Sequence, residues 1–266
     1  MCDPIRSIQG NWFVPNAPAS AQAPAQEAPK PAKSEAYAGG VESPGLSAPE
    51  EKEIGERHEQ DLAEKYGEWE DEAAQARLER LAERLLPLVT RDDVDYAFAL
   101  LDTELAFASA CPNGTVFFTR GLLATLVEDR HLCFFAAHEL THTERRHYAT
   151  RQARFEEVRR QVGFTRSPEE RQMLEFAALA ATRHQEEYEA DAGAVEMLAR
   201  LELGAEVGTE ALALLEEAYR HVSPKALSHN PLDLSSHPPF QERVARLGQA
   251  PPDPLTLVHQ LRRHFA

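Results

Sequence analysis

The stretch Ala137-His138-Glu139-Leu140-Thr141-His142 holds residue types and a spacing that can do chemistry. On a helix, positions four apart lie about 40° from one another around the axis, so His138 and His142 can turn imidazole nitrogens toward one point. A zinc ion suits that point, because imidazole nitrogen is one of its preferred donors. Glu139, one residue on, is turned far enough aside to reach a water on the ion rather than the ion itself. That is where the general base of a metal-assisted hydrolysis has to stand. A catalytic zinc takes three protein ligands and keeps one position open, so the pair needs a third donor from elsewhere in the chain.

Histidine does not supply it nearby. Patterns with a third histidine use a glycine turn and a histidine ten residues after the first, but Arg145 and Tyr148 stand at those places here. His147, nine residues after His138, falls about half a turn round a continuous helix and reads as a polar packing residue. Carboxylates remain, in the run Glu186-Glu187-Tyr188-Glu189-Ala190-Asp191. Glu187 and Asp191 share one helix face. Glu187 then completes a His-His-Glu donor set, and Asp191 accepts the free ring N–H of a ligand histidine, expected to be His142. The competing reading of this run is a solvated acidic face.

The elements that must carry these residues are mostly helical. Leu132, Phe134, Phe135 and Ala136 make the HExxH segment apolar enough for a core helix, with Glu128 and Asp129 at its positive N-terminal end. The pattern predicts that this helix runs on through Tyr148 toward Arg160. Ser167-Pro168-Glu169-Glu170 is a capping box with proline in the first turn, and it predicts a long helix over 168–203 carrying Glu187 and Asp191. Ser47 with Glu50 predicts a helix that Gly67 ends, and Leu78, Leu81 and Leu85 predict another over 70–86. Strand patterning is confined to 96–101, 104–110 and 115–119, the last two joined by the turn Pro112-Asn113-Gly114. This is an α+β fold, mostly helical with a small sheet. Helices are also expected over 121–126, 210–221, 238–247 and from Asp253-Pro254, with an irregular loop over 223–237.

Composition bounds the rest. With 28 basic and 44 acidic residues the formal charge is -16, which repels a phosphate backbone and argues against nucleic acid as a partner. The longest apolar runs fall short of the roughly 18 residues a bilayer span needs, so no transmembrane segment is expected. Residues 16–49 are Ala, Pro, Ser, Gln and Lys with almost nothing to bury, which divides the chain into a tether over 1–48 and a domain over 49–266. Cys2, Cys111 and Cys133 form no CxxC pair. Cys2 directly after Met1, followed by a spacer, favours a lipid anchor and the bacterial cell envelope, as a periplasmic lipoprotein, over the cytoplasm. Trp12, Phe13 and Val14, ahead of the spacer, are candidates to dock onto the domain or into its cleft.

Downstream stands His237-Pro238-Pro239-Phe240-Gln241-Glu242-Arg243. In this order the HExxH motif, the Glu187 to Asp191 run and this segment resemble metallopeptidase family forty-eight, which includes HtpX, the CAAX prenyl endopeptidases and the BepA-type proteases. The likeness extends over about 47–247 and takes in Gly121-Leu122-Leu123. It implies a gluzincin fold with an edge strand over the cleft, zinc as cofactor, and endopeptidase action on extended or unfolded protein or peptide substrates, in envelope protein quality control, with the peptide expected to lie extended against 115–119. Carried over, His138, His142 and Glu187 are ligands and Glu139 is the base. His237 steadies the oxyanion or, in latent forms, occupies the open metal position. Arg243 holds the acidic helix through Asp191. Leu105-Ala106-Phe107 departs from the family's Asn-Ala-Phe, and Pro112-Asn113-Gly114 from its Pro-Gly-Gly. Neither the membrane helices of HtpX nor the helical repeats of BepA are present. The competing functional reading is a latent or non-catalytic zinc-bound protein, zymogen-like or chaperone-like, with His237 closing the metal site. Cys2 is a weaker latch candidate.

Overall fold

The computed structural model describes residues 45–162, 167–221 and 237–265. Residues 1–44 of the expected tether, with Cys2 and Trp12 to Val14, lie outside them, as does nearly all of the loop expected over 223–237.

Helix α1 (Ala48–Tyr66) opens where the Ser47 amide and hydroxyl both donate to Glu50 Oε2, at 2.8 and 2.6 Å. It ends at Gly67, whose φ of 75° is open to glycine at little cost. Asp71 caps α2 (Glu72–Leu85) by accepting from the Ala74 amide at 2.8 Å. The stripe Leu78, Leu81 and Leu85 is then buried against the sheet and the HExxH helix.

Strands β1 (Ala97–Leu101), β2 (Ala108–Ala110) and β3 (Thr115–Thr119) form one sheet in the order β1-β3-β2, with β3 parallel to β1 and antiparallel to β2. This corrects the expected substrate strand. Residues 115–119 are central and buried, with a partner strand on each side, so the edges belong to β1 and β2, and β2 is the one that lines the cleft. β2 is also shorter than the strand expected over 104–110. Residues 103–106 curl round the start of α3 (Arg120–Thr125) instead of pairing: Thr103 accepts from the Gly121 amide at 3.0 Å, and Thr119 Oγ1 donates to the Leu105 carbonyl at 2.6 Å. A Cβ on Gly121 would stand 2.1 Å from the Glu104 carbonyl oxygen, so only glycine fits.

Helix α4 (Asp129–Glu144) carries the HExxH motif and is buried on almost every side, with Leu132, Phe134, Ala136, Ala137 and Leu140 inaccessible. It does not run on to Arg160. α4 stops at Glu144, Arg146 takes a left-handed φ of 53°, and α5 (His147–Val162) leaves in a new direction. A left-handed conformation costs a non-glycine residue about 1–2 kcal/mol, so something must offset it. Buried Glu51 of α1 does: it accepts from Arg146 Nε at 3.1 Å and from Arg91 Nη2 at 3.0 Å, while Arg91 Nη1 donates to the Thr143 carbonyl at 3.0 Å.

Helix α6 (Pro168–Arg200), 33 residues and so about 50 Å long, packs on α4 and α5. At Gly193 it comes so close to α4 that a Cβ there would stand 2.4 Å from Thr141 Cγ2. α7 (Glu206–His221) starts four residues earlier than the pattern predicts and packs on α4 through Gly208 and Phe134. α8 (Phe240–Arg246) follows Pro238 and Pro239, and α9 (Pro254–Phe265) closes a satellite core with Val158, Ala177, Ala181, Leu257 and Val258.

Candidate metal centre

The close packing of α4 on α6 brings His138, His142 and Glu187 together, with one donor atom of each within 4.8 Å of the others. His138 Nε2 and His142 Nε2 stand 3.1 Å apart, and each lies 3.5 Å from an oxygen of Glu187. Donors around a tetrahedral zinc with bonds of about 2.0–2.1 Å stand about 3.4 Å apart, so these spacings suit a single ion. Glu187 Oε2 is buried and makes no hydrogen bond, with Arg243 Nη1 3.5 Å away. Burial works against the charge of Glu187, but His237, His138 and His142 outweigh it and hold the carboxyl well below its usual range. A buried anionic oxygen without a hydrogen-bond donor is costly and suits a site completed by a cation. The donor set and this orphaned oxygen both fit zinc.

The far nitrogens of the two histidines are held differently. His138 Nδ1 lies 3.0 Å from Asp191 Oδ1, and Arg243 clamps the same carboxylate through Nε at 2.9 Å and Nη2 at 2.7 Å. Asp191 and Arg243 are both buried, so the clamp is shielded from water. Burial opposes a proton on His138, yet Asp191 and Glu187 prevail and raise its pKa to about 9. Asp191 thus supports His138 and not His142 as expected. Helical spacing put Asp191 on the ligand face, but only the packing of the two helices decided which imidazole it meets.

His142 is held by His147, their Nδ1 atoms 2.8 Å apart. His147 Nε2 lies 3.1 Å from Glu189 Oε2, which also accepts from Arg154 at 2.9 Å, while Gln185 donates to Oε1 at 3.0 Å. Burial lowers the pKa of His147 to about 3 against the pull of Glu189. This contact is one that helical periodicity misses, because the half-turn separation assumes one continuous helix. The break at Arg146 removes that premise. Nor is the acidic run a solvated face: Glu186, Glu187 and Glu189 are each under 9% exposed, with Arg151 donating to Glu186 at 2.8 Å.

A cleft of about 1090 Å³ runs over this cluster, between β2 and the segment from His237 to Phe240. Glu139 lines it, and its Oε2 accepts from the Ala110 amide of β2 at 2.8 Å, a contact no motif announces. His237 sits at the rim, 61% exposed, with Nε2 3.7 Å from Glu187 Oε1. Among the described residues, the group with mutually close donor atoms comprises His138, His142 and Glu187, without His237. Tyr188 is buried, as its place in the helix suggests, and its hydroxyl donates to Glu242 at 3.0 Å while Arg246 lies over the ring. With the Arg243 clamp, that ties α8 to α6 and anchors the rim segment.

A buried helix presenting two histidines to a carboxylate of a later helix, beneath the edge of a small sheet, is the architecture of the zincin-type metallopeptidases. Residues 72–250 match the sequence model of peptidase family M48, and the chain belongs to that family. The match takes in all the residues around the cluster, from Glu139 and its two histidines to Arg243, while α1 with Glu51 and α9 lie outside it. A search among curated proteins returns no match.

Proposed function

We propose that this chain is a zinc-dependent endopeptidase acting on extended or unfolded protein segments. The observation that carries the reading is the set of three donor atoms, spaced for one ion, in the same cleft as Glu139. Zinc, when bound there by His138, His142 and Glu187, supplies Lewis acidity toward a water and a peptide carbonyl. Glu139, aimed by the Ala110 amide, takes the proton of the attacking water and hands it to the leaving amine. The outer edge of β2, apart from the Ala110 amide held by Glu139, offers main-chain groups to an extended peptide, which gives affinity with little demand on side-chain identity. His237 at the rim donates to the carbonyl oxygen as negative charge develops on it. Asp191 and Arg243 hold His138 in orientation.

The test is cleavage of casein by the full chain, with and without a metal chelator, in wild type, Glu139→Gln and His237→Ala. Wild type is expected to cleave and to stop on chelation. Glu139→Gln should bind zinc as wild type does and cleave at least about 100-fold more slowly; full activity in that variant sinks the assignment. The second reading, a latent or chaperone-like protein with His237 closing the site, draws on the 3.7 Å approach of His237 to Glu187. Its exposure and its place outside the donor group favour catalysis instead. A gain of cleavage in His237→Ala selects latency, and no cleavage by any form selects the non-enzyme. A role in envelope protein quality control belongs to the same proposal, supported by the spacer composition. Retention of a Cys2→Ser variant in the membrane fraction counts against the anchor.

A further inference from the structure

Two imidazole nitrogens 2.8 Å apart share one proton, so between His142 Nδ1 and His147 Nδ1 one ring donates and the other accepts. The surroundings decide which. Glu189 carries the guanidinium of Arg154 at 2.9 Å and a Gln185 amide at 3.0 Å, and a carboxylate in that setting only accepts. His147 Nε2 must therefore be the donor to Glu189 Oε2, which in the neutral ring leaves the lone pair on Nδ1. His142 must then donate from Nδ1, and its own lone pair falls on Nε2, the atom that faces His138 and Glu187.

We infer that His147 is a positioning residue for the second zinc ligand: by accepting the Nδ1–H of His142 it fixes the tautomer and ring orientation that present Nε2 to the metal. Glu189 and Arg154 hold His147 in turn, so the relay crosses from α4 to α5 and on to α6. The two ligand histidines are thus oriented by different means. His138 leans directly on a carboxylate, whereas His142 leans on a neutral ring with a carboxylate behind it. The break at Arg146 is what makes the second arrangement possible, since it returns His147 to the side of its own predecessor.

The inference rests on the reading of His142 as a zinc ligand, which zinc binding by the wild type tests on its own. The relay is tested on the full chain by zinc affinity, measured in competition with a chromophoric chelator, in His147→Asn and His147→Gln. An Asn side chain can place a carbonyl oxygen near the position of Nδ1, keeping the acceptor for His142 but losing Glu189. A Gln side chain can reach Glu189 from near the position of Nε2 and loses the acceptor for His142. Loss of a partner that orients a metal ligand weakens binding about 10- to 100-fold, and that loss is expected in His147→Gln while His147→Asn keeps most of the affinity. The reverse order, equal losses, or wild-type affinity in both variants overturns the relay and leaves His147 as packing alone. Ring nitrogen chemical shifts in the zinc-loaded wild type give a readout independent of any variant's folding. They should show the proton of His142 on Nδ1 and that of His147 on Nε2, and the opposite tautomer of His147 overturns the proposal.

Discussion

Arg243 brings a guanidinium into a place water does not reach, and Asp191 is the reason it can stay there. The pair is bidentate and buried, so its two halves depend on each other. Removing one partner of a buried pair strands the other charge, and Arg243→Met is expected to cost about 3–5 kcal/mol, read as a shift of the denaturation midpoint. A change under 1 kcal/mol would show that the clamp is dispensable. The same variant should weaken zinc binding, because His138 Nδ1 leans on the carboxylate that Arg243 holds. At this scale much was legible in the sequence. His138, Glu139 and His142 follow from side-chain chemistry at helical spacing, and Glu187 from the need for a third donor on a helix face. His147 and Glu189 were not legible, because their contact depends on where a helix breaks and not on the distance between them along it.

Helix α6 can approach α4 closely because position 193 has no side chain. Gly193→Ala sets a Cβ against the β-branched Thr141, which cannot swing aside within a helix, and the clash is expected to cost about 1–3 kcal/mol while loosening zinc. Adding Thr141→Ala should recover most of the loss, short of about 1 kcal/mol for the hydroxyl's bond to the Ala137 carbonyl. If Gly193→Ala alone leaves both stability and affinity intact, the close approach does not position the ligands. A second tie joins the sheet to α4, where the Tyr96 hydroxyl donates to Glu144. Burial, and then that carboxylate, push the Tyr96 phenol upward, so the unfolded chain ionises first. The stability from this bond is full below about pH 10, the phenol's unfolded value, and is lost as pH rises toward the higher folded value. Urea midpoints should therefore fall more steeply above pH 10 in wild type than in Tyr96→Phe, and parallel curves would exclude the linkage. Helix starts at Ser47 and Pro168 and the stop at Gly67 were readable because capping is local. The end of α4 was not, because the residue that stabilises the break, Glu51, lies far back in α1.

For the whole molecule, the principal core runs through α2, the sheet, α4, α6 and α7, with the cluster of His138, His142 and Glu187 outside it. Zinc removal should leave the helical circular dichroism in place while lowering the melting temperature. Zinc held at 100 times its Kd contributes about 2.7 kcal/mol, which for a domain of this size corresponds to about 5–10 °C. A melting temperature that does not move on chelation would exclude zinc as part of the folded state. By itself the sequence determined the class of element along most of the chain, and the donor types and helical faces of His138, His142 and Glu187. Each of those follows from periodicity, capping or composition, which are local or additive. Tertiary structure alone decided that β2 and not β3 is the edge strand at the cleft, that Asp191 meets His138, and that His147 stands behind His142. Those outcomes depend on strand order, on how two helices cross and on a break set from a distant helix, none of which has a local signature.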